Sequence, residues 1–338
     1  QGGADRAYLD MGLALERAGH DVAYFSSESV KNLPTPWSRH FVSGISYDKA
    51  DQQGVFEKVR IARDIIWNRE AEKKMNQLLN EFQPDIVHLH NIYHQLSPSI
   101  LRPIRRCGIP VVMTLHDYKL ISPNYSLFVR GKVWEGAKDG AYWKCVRDRC
   151  VKNSRAKSIV CSAEAYIHRY IGAYDVVRTF LSPSNFLIEK FREHGFKRSI
   201  EYLPNPLIPF PEDLSRQLLA EDAPFVFIGR LSAEKGIDML LRAFSRYKGR
   251  SCLRIVGDGP ERRALESLSQ ELGLRSRVSF EGFLSGNNLR EVRSSARAII
   301  IPSRWHENMP YALLEAMAAG KVVIAARRGG IPEKVREG

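Results

Sequence analysis

Two glutamates, Glu307 and Glu315, stand eight positions apart around Pro310. Residues 311–319 are rich in Ala, Leu and Met, all strong helix formers. Proline is favoured in the first turn of a helix. The pattern predicts a loop carrying Glu307 and a helix carrying Glu315 about a turn and a half from its start. The apolar run 298–303 upstream reads as a strand. A strand that feeds a helix N-terminus is an anion site in open α/β sheets. Two carboxylates beside such a site suit a ligand with both phosphates and hydroxyls, as a sugar nucleotide has. Glu-x7-Glu alone is weak evidence, because helix-edge glutamates are far more often solvated charge.

Other chemistry-bearing residues fall at strand ends. Arg230 and Lys235 follow the apolar run 225–229. Two cations there can hold a diphosphate and neutralise the charge that grows as it leaves. His116 closes the run 111–116 and precedes Asp117; read alone, it is a polar strand terminus. His88 and His90 lie two apart in the run 86–90 and so share one side of a strand. A metal is one reading of that pair; a buried or supporting role is the other.

Several motifs recur in a fixed order. They are Phe227-Ile228-Gly229-Arg230-Leu231 with Lys235-Gly236, then Ile255-Val256-Gly257-Asp258-Gly259-Pro260, then Val278-Ser279-Phe280-Glu281-Gly282-Phe283. Glu-x7-Glu follows, with Ala316-Met317-Ala318-x-Gly320 and Gly329-Gly330-Ile331-Pro332-Glu333. In this order and spacing they resemble the donor site of glycosyltransferase family 4. The resemblance implies an α/β GT-B fold, two Rossmann-like domains facing across a cleft. It implies a retaining transfer of sugar from a nucleoside diphosphate sugar to a hydroxyl of a glycan or lipid-linked acceptor, in cell-surface polysaccharide biosynthesis. No metal and no cofactor is expected.

The same resemblance implies roles for single residues. Arg230 and Lys235 would hold the diphosphate, Glu307 the hydroxyls of the transferred sugar, and Glu315 the ribose hydroxyls. Amides around Asn308, Met309 and Tyr311 would bind a phosphate oxygen. Gly257, Gly282 and Phe283 would border the base. His116, in its Leu-His-Asp setting, would contact the transferred sugar. Gly3, with Gly2, would let the first helix approach the diphosphate.

The elements that must place these residues alternate along the chain. Its 338 residues suit two domains, 1–206 on the acceptor side and 207–338 on the donor side. A helix is expected from residue 9 with its apolar face on Leu9, Leu13, Leu15 and Ala18, then a strand over 22–25. Residues 55–82 read as one long charged helix. Pro204, Pro206, Pro209 and Pro211 mark a linker. In the second half, strands are expected near 225–230, 253–257, 278–282, 298–303 and 322–326. The glycine pair at the start lacks the strand expected before it, and Glu337-Gly338 stops short of the family's closing strand and helix.

Composition narrows the partners. The formal charge is +13, and residues 130–157, which overlap a long irregular insert over 118–154, carry nine Lys/Arg against three Asp/Glu. Such a segment fits an anionic membrane surface or an anionic lipid-linked acceptor, or else a solvated loop. Nucleic acid is excluded as the reading, since no helix-turn-helix, zinc-finger or RNA-binding signature accompanies the charge. The expected setting is cytoplasmic, peripheral on the inner face of the cell membrane. Five scattered cysteines suggest free thiols, Cys145 and Cys150 included, and two are too few for a structural zinc. A GT-B sugar-nucleotide epimerase and a non-catalytic sugar-nucleotide-binding protein are the rival readings.

Overall fold

The computed structural model describes residues 2–44, 54–208 and 220–336. Expectations that fall on Gln1, Pro209, Pro211, Glu337 and Gly338 lie outside the described residues. The chain forms two compact units: residues 1–125 with 135–206, and 126–134 with 207–338. The hairpin of β3 (Phe128–Val129) and β4 (Lys132–Val133), inside the expected first-half insert, groups with the second unit.

The first unit carries a four-stranded parallel sheet. Its strands are β1 (Val87–His90), β2 (Val111–Thr114), β5 (Val177–Ser182) and β6 (Ile200–Tyr202), in the order β1-β2-β5-β6. Leu89, Val111, Met113, Val177 and Phe180 are buried along it. Among the described residues seven helices belong to this unit; six of them are α1 (Gly3–Arg17), α2 (Val55–Ile66), α3 (Arg69–Phe82), α4 (Leu101–Arg106), α6 (Arg155–Tyr170) and α7 (Asn185–Glu193). The short α5 (Trp143–Asp148) packs against α6 within the insert.

The second unit has a five-stranded parallel sheet. It comprises β7 (Phe225–Ile228), β8 (Leu253–Val256), β9 (Val278–Gly282), β10 (Ala298–Ile301) and β11 (Val322–Ala325), in the order β11-β10-β7-β8-β9. Helices α8 (Ile237–Phe244), α9 (Arg262–Glu271), α10 (Gly286–Ser294) and α11 (Tyr311–Ala318) connect the strands. Successive residues of β7 enter separate cores. Phe227 joins Ile237, Leu241, Leu253 and Leu265, while Val226 joins Val256, Ile299, Met309 and Leu313. The central strands β7 and β10, buried on both faces, are unbroken apolar runs.

Four local expectations are corrected. Residues 55–82 form two helices, because Asn68 caps the second: its side chain accepts from Ala71 N–H at 3.0 Å. Asparagine is a strong N-cap and a weak interior residue. Residues 22–25 form no strand; the Phe25 N–H donates to the Tyr8 hydroxyl at 3.2 Å instead of to a ladder partner. In α1 the buried residues are Ala7, Asp10 and Gly12, and Leu13 and Leu15 are exposed. Cys145 and Cys150 form a disulfide, not free thiols. Arg149 ends α5 in a left-handed conformation, φ 50°, and the turn brings the two Cα atoms to 5.0 Å, within disulfide reach. Among the described residues no helix is long and apolar enough to cross a membrane.

Candidate active site

Parallel strands place the second unit's candidate residues at their carboxyl ends. After β7 the chain is pinned to the segment after β8: Gly229 N–H donates to the Val256 carbonyl and Leu231 N–H to the Asp258 carbonyl, each at 3.0 Å. Between these anchors Arg230 is exposed and forms no ion pair among the described residues. Lys235 closes a single 3₁₀ turn, and Gly236, φ 70°, starts α8.

Lys235 and Glu307, 72 residues apart, meet here. Lys235 Nζ donates to Glu307 Oε1 at 2.7 Å and lies 5.2 Å from the Trp305 ring centroid. Ser303 Oγ donates to the same carboxylate oxygen at 2.5 Å. Glu307 is only 4% exposed. Burial pushes its carboxyl upward, but the Lys235 ammonium and these hydrogen bonds outweigh burial and hold it below the usual carboxylate range. The Glu307 backbone is clamped as well. Gly330 N–H donates to its carbonyl at 2.8 Å, and a Cβ on Gly329, φ 62°, would overlap that peptide. Glycine is therefore required at 329 by both space and conformation.

Glu315 follows a different route. It lies inside α11 and accepts from Arg293 Nη1 at 3.0 Å, and Arg293 is buried in α10. The eight-residue spacing thus yields two carboxylates with two separate cationic partners. Tyr311 is the first residue of α11, after Pro310 at the N-cap, and is buried; Asn308 is partly buried. Met309 packs its side chain in the core, so only its backbone is available to a ligand. Gly257 N–H donates to the Gly282 carbonyl at 2.7 Å, which joins the ends of β8 and β9. Gly257 has φ 130°, and a Cβ there would overlap the Gly229 carbonyl. Phe283 beside them is 68% exposed. A flat apolar face next to close-packed glycine backbone can accept a planar ring.

In the first unit, Gly3 opens α1 and is exposed. His116 lies two residues beyond β2. Its Nε2 is 2.8 Å from His90 Nδ1, and His88 Nε2 is 2.7 Å from Thr114 Oγ1. Burial lowers all three histidines: His88 to about 4, His116 to about 3, helped by His88, and His90 well below its ordinary value. They are neutral near pH 7, so in the His90–His116 contact one ring nitrogen donates and the other accepts. Among the described residues no group of three or more His, Cys, Asp or Glu is arranged to hold a metal ion.

Behind His116 stands a charged cluster that sequence reading missed. Lys119 Nζ donates to Glu164 Oε2 at 2.7 Å, and both residues are buried. Asp117 accepts from the Lys119 N–H at 2.9 Å, and burial lifts its carboxyl to about 6. No local pattern announces this pair, since its members are 45 residues apart. Ser303, Arg293 and Gly329 were also missed as site members. Gly329 alone had a signal, its place in the Gly-Gly-Ile-Pro-Glu motif.

The likeness to known proteins runs the whole length. Residues 1–208 match the family described as Glycosyltransferase Family 4, and residues 211–338 match the one described as Glycosyl transferases group 1. The lipopolysaccharide core biosynthesis glycosyltransferase LpsD of Rhizobium meliloti (strain 1021) is 26% identical over 98% of this chain and 76% of its own. A sucrose-phosphate synthase from Thermosynechococcus elongatus superposes with a TM-score of 0.65 at 22% identity, over 98% of this chain and 79% of that one. Anabaena Alr3699/HepE, solved in complex with UDP and glucose, superposes with a TM-score of 0.60 at 18% identity, over 100% of this chain and 80% of that one. These folds, the two parallel sheets and the family match across residues 1–208 make the chain a GT-B protein that belongs to glycosyltransferase family 4.

Proposed function

We propose that the protein transfers a sugar from a nucleoside diphosphate sugar to a hydroxyl of a glycan or lipid-linked acceptor, with retention and without a metal. Residues 207–338 take the donor in this reading, and residues 1–206 the acceptor. The Lys235–Glu307 pair carries the proposal: one cation and one carboxylate, hydrogen-bonded and mostly buried, at the mouth of a strand-to-helix junction. A lysine ammonium has three N–H donors. With one on Glu307, the others are available to phosphate oxygens. Arg230 adds a second cation, and the N-terminus of α11 adds the positive end of a helix dipole.

Those groups stabilise the charge that develops on the leaving diphosphate. A retaining glycosidase needs a carboxylate nucleophile near the anomeric carbon. Glu307 is tied to Lys235 and Ser303 and is better placed to orient hydroxyls than to attack. The reading is therefore a front-face transfer. The bond from the anomeric carbon to the phosphate oxygen breaks, the acceptor oxygen bonds on the same face, and its proton passes to the departing phosphate. His116 serves the transferred sugar as a neutral hydrogen-bonding group. Two relatives' names support the setting: LpsD acts in lipopolysaccharide core biosynthesis, and HepE was solved with UDP and glucose.

The test is a donor screen with each nucleoside diphosphate sugar, with and without hydroxyl acceptors, read by proton NMR of the products. An acceptor-dependent glycoside whose anomeric configuration matches the donor is expected. An inverted product would overturn the stereochemistry. A changed sugar nucleotide formed without acceptor would make the protein an epimerase.

A further inference from the structure

Helix α6 is inside out. Its buried side chains are Ser158, Cys161, Ser162, Glu164 and His168, whereas Ile159, Tyr166, Ile167 and Tyr170 are exposed. A helix on a water-facing surface normally shows the reverse pattern. Ile159, Tyr166 and Tyr170 recur at i, i+7 and i+11, so they form one stripe, and Tyr170 is 92% exposed. The Tyr166 hydroxyl accepts from Trp143 N–H at 3.1 Å, which joins the stripe to Trp143 on α5, itself 54% exposed.

Charge borders this stripe on one side. Arg149, Lys152 and Arg155 are exposed at the N-terminal end of α6, and Lys144 Nζ lies 6.0 Å from the Trp143 ring centroid. None of these four forms an ion pair among the described residues. The acidic residues of the two helices offer little opposition. Asp148 is bonded to Arg147 at 2.7 Å, and Glu164 is buried on Lys119. Aromatic and aliphatic side chains flanked by uncompensated cations match the chemistry of a bilayer interface with anionic headgroups.

We propose that the outer face of α5 and α6 docks this protein on an anionic lipid surface, with α6 lying along the headgroups. Ile159, Ile167 and Tyr170 enter the interface while Lys144, Arg149, Lys152 and Arg155 meet lipid phosphates. This goes beyond the transfer reading and stands without it, because its readout is binding and not turnover.

The experiment is flotation of the whole chain with vesicles of phosphatidylcholine alone or with one third phosphatidylglycerol. Binding to the anionic vesicles is expected to be at least ~10-fold stronger and to weaken as salt rises, since such charges are screened within about 8–10 Å. The Ile159→Ser/Ile167→Ser/Tyr170→Ser variant is expected to lose most of this binding at every salt concentration. The Lys144→Gln/Arg149→Gln/Lys152→Gln/Arg155→Gln variant is expected to lose the preference for anionic lipid. Unchanged unfolding midpoints establish that both variants fold. Trp143→Phe, a milder change, is expected to bind while losing part of the lipid-induced blue shift in fluorescence. Absence of vesicle binding, equal binding to both vesicle types, or full binding by the triple-serine variant would overturn the proposal. So would a lipid-free dimer that the triple-serine variant dissociates, which would make a second copy the occupant.

Discussion

The candidate residues of the two units are built on opposite electrostatic plans. In the second unit the carboxylates are matched to cations: Glu307 with Lys235, Glu315 with Arg293. In the first, His116 meets His90, and burial keeps both imidazoles neutral. In the proposed transfer the contrast fits two tasks. A diphosphate must be met by fixed charge, and the hydroxyls beside it by permanent acceptors. A group placed near an oxocarbenium-like centre must hydrogen-bond without adding positive charge, and a neutral imidazole meets that need.

The comparison breaks most easily at Lys235. Lys235→Met should lower turnover at least ~100-fold, as loss of a transition-state charge donor does. It should also cost about 3 kcal/mol of stability, because it leaves Glu307 buried without its cation. This stability loss should depend on pH with a defined sign. The Glu307 carboxyl lies below its unfolded value, so its contribution is present above the unfolded pKa and fades as pH falls through the folded one. The deficit of Lys235→Met against wild type, measured by urea unfolding, should therefore shrink below about pH 4. Arg230→Ala should match the loss of turnover with stability within ~0.5 kcal/mol of wild type, since Arg230 is exposed and unpaired among the described residues.

The histidines should show themselves through stability. Their folded pKa values are depressed to about 4 for His88 and about 3 for His116. The unfolded chain therefore binds more protons below pH ~6.5, and stability falls as pH drops from there toward 4. Asp117, raised to about 6, acts in the opposite direction over the same range. With His88, His90 and His116 acting together, the net slope should follow the histidines. His116→Asn should flatten the dependence of the thermal midpoint on pH. A steeper dependence in the variant would contradict the neutral-cluster account.

The smallest effects sharpen the comparison from the other side. Phe283→Ala should leave stability within ~0.5 kcal/mol of wild type and raise the donor KM several-fold. Met309→Ala should do the reverse, costing about 2–3 kcal/mol of core packing with donor affinity nearly retained. In the proposed reading Arg230 and Lys235 take the place of a divalent ion on the diphosphate, so excess EDTA should leave turnover unchanged.

Most of the second unit was legible in the sequence. Its central strands β7 and β10 are unbroken apolar runs, and its glycines sit where close backbone approach demands them, as at Gly257. The pairing of Lys235 with Glu307 was not legible, because sequence spacing places residues on elements and says little about which elements meet. The first unit was harder to read for local reasons. The capping by Asn68 splits a helix that charge periodicity joins. The left-handed Arg149 closes the Cys145–Cys150 turn and leaves no compositional trace. The inverted face of α6 depends on Glu164 turning inward to Lys119, a contact between distant segments.

The central claim is that Arg230 and Lys235 bind the diphosphate of a nucleotide donor. Isothermal titration of the whole chain with UDP, GDP and ADP tests it most directly, with wild type beside Arg230→Ala and Lys235→Met. The account expects at least one nucleoside diphosphate to bind wild type without added metal, and each variant to bind it at least ~10-fold more weakly. Equal affinity in wild type and both folded variants would contradict it.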